Sequence, residues 1–117
     1  MSVPSLDLER LTKILRFGLV KILGESTLQI LERFMLISLE EDMYHVLYED
    51  PVRFYRALSK IYGKGADYLL KALFSTLTRE GLLEPINASE IIIMIKSGDK
   101  NLVKSLLRSL SVREFHS

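Results

Sequence analysis

Asp50-Pro51-Val52-Arg53-Phe54-Tyr55-Arg56-Ala57-Leu58-Ser59-Lys60-Ile61-Tyr62-Gly63-Lys64-Gly65-Ala66 spells a helix with both ends marked, followed by the opening of another. Asp50 is an N-cap whose carboxylate accepts from first-turn amides, and Pro51 stands at the position where no amide is needed. Phe54, Leu58 and Ile61 fall on one face. Gly63 is placed to end the helix in a left-handed conformation, and Gly65-Ala66 leads into the next apolar period. No catalytic or cofactor motif accompanies this pair of helices.

The same punctuation recurs on either side. Leu8, Leu11, Leu15, Gly18 and Ile22, widened by Ile14 and Leu19, predict a first helix over Leu6 to Leu23. Gly24 ends it, and Ser26 is the expected N-cap of a second helix carrying Leu28, Leu31, Phe34 and Met35 inward and fading near Ser38. Leu39-Glu40-Glu41-Asp42 starts a short helical turn through Tyr44, Val46 and Leu47. Beyond Gly65 a helix to Arg79 places Ala66, Leu69, Leu70, Leu73 and Leu77 inward and stops at Gly81. Asn87 and Glu90 have capping-box spacing, which favours helix over strand for the β-branched run Ile91-Ile92-Ile93-Met94-Ile95. Gly98-Asp99 then opens a last helix, Lys100 to Leu110, ahead of a frayed tail. The expected fold is all-α, a compact bundle of five to six helices forming one domain over residues 1–117.

The middle of the chain resembles a known family. Gly24-Glu25-Ser26, Leu39-Glu40-Glu41, Asp50-Pro51-x-x-Phe54-x-x-Ala57-Leu58-x-x-Ile61-x-Gly63-x-Gly65-Ala66 and Leu69-Leu70 are similar to the nitrosopumilus output domain family, over Gly24 to Gly81. Those are small helical archaeal domains, found alone or attached to signalling-type proteins. Every matched position is a cap, a glycine break or a core residue, so the likeness carries fold rather than chemistry. It implies an output or partner-binding role and transfers no catalytic residue.

Composition narrows the function classes. The 117 residues include 16 basic and 15 acidic side chains, a net charge of +1, which is no footprint for broad nucleic-acid binding. There is no cysteine, so disulfides, thiolate metal sites and cysteine nucleophiles are excluded. Asn87, Asn101 and Gln29 are the only side-chain amides amid abundant Glu, Lys and Arg, a thermophile tendency. Neither a signal arrangement nor an apolar run of membrane-spanning length is visible, so a soluble cytoplasmic protein is expected. The apolar fraction of 48% and mean hydropathy of +0.17 are high for a small monomer. They point to apolar surface buried between chains.

Candidate sites follow from these patterns. The first helix and the run Ile91 to Ile95 are apolar over most of their circumference, so each is either a central core helix or an interface. Leu11, Ile14, Leu19, Ile91, Ile92 and Met94 are the expected contact residues of a homodimer that also docks a protein partner. The alternative is nucleic-acid binding through two basic faces: Arg53, Arg56 and Lys60 on one helix, Lys100, Lys104 and Arg108 on the last, with Tyr55 and Tyr62 available for stacking. Glu41-x-x-x-His45-x-x-x-Glu49 has helical spacing for a metal site, against the reading of a solvated acidic turn. Acid–base catalysis by Glu40, Glu41, Asp42, Glu49 and Asp50 would need a dry pocket that raises one carboxylate. Gly63-Lys64-Gly65 lacks the strand and the Gly-Lys-Ser/Thr of a phosphate loop. The helix-then-Gly81-Leu82-Leu83 cadence hints at a winged helix but lacks the strands of a wing. No cofactor, no metal and no enzymatic activity are expected.

Overall fold

The computed structural model describes residues 4–83 and 87–112, with side chains placed over residues 8–83, 87–101 and 103–107. The described residues form seven helices and no strand: α1 (Pro4–Leu23), α2 (Glu25–Leu39), α3 (Met43–Glu49), α4 (Pro51–Tyr62), α5 (Gly65–Arg79), α6 (Ala88–Ser97) and α7 (Lys100–Val112). The all-α bundle is therefore as expected. The count rises above five to six because the acidic turn closes as a helix of its own. Asp42 caps it, its Oδ1 accepting from the amides of Tyr44 (2.8 Å) and His45 (3.1 Å).

The ends of α4 match their sequence signals. Asp50 Oδ1 accepts from the Arg53 amide at 3.4 Å, and Pro51 opens the helix. Gly63 closes it with φ 57° and ψ −131°, a region open in practice to glycine alone rather than the left-handed helical well. The start of α2 differs from expectation. Gly24, at φ 86° and ψ 159°, turns the corner itself, and the helix begins at Glu25 with no side-chain cap. The run Ile91 to Ile95 is helical, capped by the Asn87 side chain accepting from the Ser89 amide at 2.8 Å. Residues 84–86, Pro85 included, and those beyond Val112, His116 included, lie outside the described residues.

α1 is the central post. It packs against α5, α7, α2 and α3, which is why it is apolar around so much of its circumference. Leu11, Ile14, Leu15 and Leu19 are buried on it. Its approach to α5 is close at Gly18, where an added Cβ would stand 2.7 Å from Leu73 Cδ1 and 3.1 Å from Leu77 Cδ2. Phe74, Leu70 and Leu77 of α5, Leu58 of α4 and Ile91 and Ile95 of α6 complete a continuous core. The radius of gyration, 13.1 Å, is that of a compact globule of this length, about 13 Å. No helix among the described residues is long and apolar enough to cross a membrane.

Burial within α6 separates neighbours in sequence: Ile91 is fully enclosed, whereas Ile93 is 64% exposed. Ile91→Ala should therefore cost about 2–5 kcal/mol in urea unfolding, through lost transfer energy and a residual cavity. Ile93→Ala should stay within about 0.5 kcal/mol of the parent.

Candidate functional site

The residues expected at an interface are not on the surface. Leu11, Ile14, Leu19, Ile91 and Ile92 are buried within the chain, and Met94 is half-buried against the core. The reading of α1 and α6 as contact faces is corrected accordingly. Of the two options that an all-round apolar helix leaves, these two helices take the core, α1 at the centre and α6 against α4, α5 and α7.

The exposed apolar surface is on α2 instead. Leu28, Leu31, Met35 and Leu39 face inward, while Ile30, Phe34 and Ile37 are 58%, 55% and 69% exposed. Phe34, expected inward, points out. The spacing i, i+4, i+7 aligns these three side chains as a stripe opposite the buried one. Polar residues Ser26, Gln29, Arg33 and Ser38 border it and are exposed.

An ionic hub holds α2 in that orientation. Arg16 of α1 donates from Nη2 to Glu25 Oε2 at 2.7 Å and from Nε to Glu32 Oε2 at 2.9 Å. Tyr44 of α3 donates its hydroxyl to the same Glu32 Oε2 at 2.6 Å. The bonds to Glu25 and then Glu32 raise the Arg16 pKa further above its ordinary value. Burial first, and then the Glu32 carboxylate, push the Tyr44 hydroxyl well above the phenol range, so it remains a donor. The guanidinium lowers Glu25 from the ordinary carboxylate value. Beside this hub a cleft of about 290 Å³ is lined by Thr12, Arg16, Glu32, Leu36 and Tyr44. A second cleft, of about 520 Å³, involves Leu8, Glu9, Thr12, Lys13, Asp42 and His45. Tyr44→Phe should destabilise the fold by about 1–3 kcal/mol in denaturant unfolding, because Glu32 loses a charge-assisted donor in a half-buried place.

The acidic segment is divided among structural tasks. Glu41 pairs with Arg53 at 2.8 Å, Glu49 with Lys104 at 3.3 Å, and Asp42 and Asp50 are caps. Among the described residues no group of three or more His, Asp or Glu is placed to hold a metal ion.

The basic faces are likewise partly spent. Arg53 also donates to the Leu39 carbonyl at 2.6 Å, tying the start of α4 to the end of α2. Lys104 lies over the Tyr48 ring at 5.4 Å. α7 packs on α1, α3 and α6, so Glu49 of α3 stands against its basic face. Arg56, Lys60 and Lys100 are exposed, and the Arg108 side chain lies outside the described residues.

A different basic cluster forms where three helices meet. Tyr55 of α4 donates its hydroxyl to Asp67 Oδ1 of α5, and Lys96 of α6 donates to Asp67 Oδ2 at 2.9 Å. Lys96 Nζ also lies 5.2 Å from the Tyr55 ring centre. The Tyr55 and Lys96 bonds lower the Asp67 pKa from its ordinary value. Tyr55 shares with Tyr68 a cleft of about 400 Å³ also lined by Lys64 and Lys71. Their spacing, Lys64-x-x-Asp67-Tyr68-x-x-Lys71, runs down one helical face and was visible in the sequence.

The described residues form an all-α helical globule with an exposed apolar stripe on α2. Set against protein-family models, curated proteins and solved structures, the chain matches none.

A group whose native pKa is lowered contributes stability above its unfolded value and loses it as pH falls through the native one. Asp67→Asn should therefore cost about 1 kcal/mol near neutral pH. The difference from the parent should shrink as unfolding is measured at progressively lower pH, below the ordinary carboxylate range.

Proposed function

We propose that this chain is a non-catalytic helical interaction module that pairs with a second copy of itself through the outer face of α2. The exposed stripe Ile30, Phe34, Ile37 carries the proposal. Leaving three such side chains in water forgoes about 1.5–3 kcal/mol for each one that burial would return. Scattered exposed apolar residues need no explanation, but an aligned set with a polar border is the anatomy of an interface core and rim.

A second copy is the occupant that the pattern suits. The stripe reads nearly the same in both directions, with Phe34 close to the middle and an isoleucine on either side. Antiparallel packing about a two-fold axis near Phe34 sets Ile30 of one copy opposite Ile37 of the other and brings the aromatic rings together. Arg33 then lies beside the opposite ring, where its guanidinium can stack on the aromatic face. The Arg16 hub supports this by locking the other flank of α2 to α1 and α3, so the stripe is presented on a fixed surface.

The resemblance to the nitrosopumilus output domain family extends the reading to a signalling output in an archaeon, with docking of a further protein partner. A cytoplasmic location and a thermophilic source belong to the same proposal, on composition. Nucleic-acid binding across α4 and α7 is disfavoured by Glu41 and Glu49, which neutralise Arg53 and Lys104 there.

Light scattering after size-exclusion chromatography should give twice the 13.4 kDa chain mass at micromolar to millimolar concentration. Phe34→Asp should return the single-chain mass with helicity intact, whereas Ile93→Asp, on another face, should leave the dimer. A parent chain that stays monomeric throughout that range would overturn the reading.

A further inference from the structure

We infer that the cleft between α4, α5 and α6 is a binding site for a nucleoside phosphate, with Lys64 and Lys71 taking the phosphates and Tyr68 stacking on the base. Three helices contribute to it independently of α2. Asp67 is the one carboxylate among its lining residues, and both of its oxygens are engaged, one by the Tyr55 hydroxyl and one by Lys96. Its charge is therefore compensated inside the cluster, and it serves as a post that holds Lys96 over the Tyr55 ring.

Lys64 and Lys71 are left over. Both are exposed, and neither has an ion-pair partner among the described residues. They stand seven positions apart on one face, a rise of about 10.5 Å that two flexible ammonium side chains close around a phosphate chain. Summed over the lining, three ammonium groups face one carboxylate, an excess of positive charge in a molecule whose net charge is only +1. Such local excess concentrates an anion where the whole molecule does not.

The aromatic walls specify more than an inorganic anion. Tyr68 is 72% exposed, the largest exposure among the described large apolar and aromatic side chains, and Lys71 Nζ lies 6.0 Å from its ring centre. A ring so placed, beside two ammonium groups, offers a stacking face within reach of the phosphate contacts. The volume, about 400 Å³, falls in the range of small-molecule sites. A cleft of about 400 Å³ has the size for a single nucleotide rather than a strand.

The test is a titration of the full chain with ADP, with inorganic phosphate alone and with adenosine alone, followed by amide chemical shifts and calorimetry. ADP should shift residues 64–71 and 96 and bind at least about fivefold tighter than phosphate alone, the lower end of what one added stack contributes. It should also bind at least about fivefold tighter than adenosine, which lacks the phosphate contacts. Lys71→Glu and Tyr68→Ala, both at exposed positions, should each weaken ADP at least about fivefold without change in helicity. Absence of shifts at about 5 mM ADP, a weak-binding limit, would overturn the site. So would phosphate binding as tightly as ADP, or both variants binding like the parent. An oligouridylate bound more tightly than ADP at about 0.15 M salt would replace the nucleotide with a strand and overturn it equally. The dimer and this cleft use different faces, so loss of one leaves the other intact.

Discussion

The close approach of α1 to α5 at Gly18 is the constraint on which the rest is built. Leu73 Cδ1 and Leu77 Cδ2 fill the place where a Cβ would be, so these α5 side chains pack directly on the α1 backbone. That contact lets α1 stand in the middle rather than at the edge, with α2, α3 and α7 ranged on its other sides. A helix packed against four others needs a broad apolar face, which Leu11, Ile14, Leu15 and Leu19 supply, while Glu9, Arg10, Lys13 and Lys21 stay exposed on the remaining side. The high hydropathy of α1 is thus absorbed by its own chain. The surplus that remains has to be sought on a helix with only one buried side.

That helix is α2, and its rotation about its own axis is settled by charge. Two apolar stripes, Leu28-Leu31-Met35-Leu39 and Ile30-Phe34-Ile37, compete for the core. Arg16, reaching from the central helix to both Glu25 and Glu32, and Tyr44, reaching from α3 to Glu32, anchor the polar edge between them. With that edge pinned against α1, the Leu-Met stripe turns inward and the Phe-Ile stripe outward. A half-buried ion network contributes modestly to stability, and here it ties the polar edge of α2 to α1 and α3 in the observed orientation.

Charged side chains act mainly as staples between helices. Arg53 joins α4 to the end of α2 through Glu41 and the Leu39 carbonyl, Lys104 joins α7 to α3 through Glu49, and Lys96 joins α6 to α5 through Asp67. Arg53 and Lys104, read as parts of basic faces in one dimension, are thereby neutralised by partners far away in sequence, while Arg56, Lys60 and Lys100 stay exposed. Lys64 and Lys71 make none of these staples, and they flank Asp67 and Tyr68 in the cleft between α4, α5 and α6.

Local chemistry determined the helices. Asp50-Pro51 and Gly63 bound α4, and Asn87 starts the run Ile91 to Ile95 as helix despite its β-branched composition, because caps and glycines act through bonds within one turn. The α1 periodicity was equally legible, and so was its choice between core and interface, but not the answer. Whether Leu11, Ile14 and Ile91 meet their own chain or another depends on which helices pack around them, and Phe34 was misread as inward because two apolar stripes on α2 are equivalent in one dimension. Only the folded arrangement decided those points: side-chain burial and ion pairing are relations between residues such as Arg16 and Glu32, or Tyr55 and Asp67, that helical spacing does not connect.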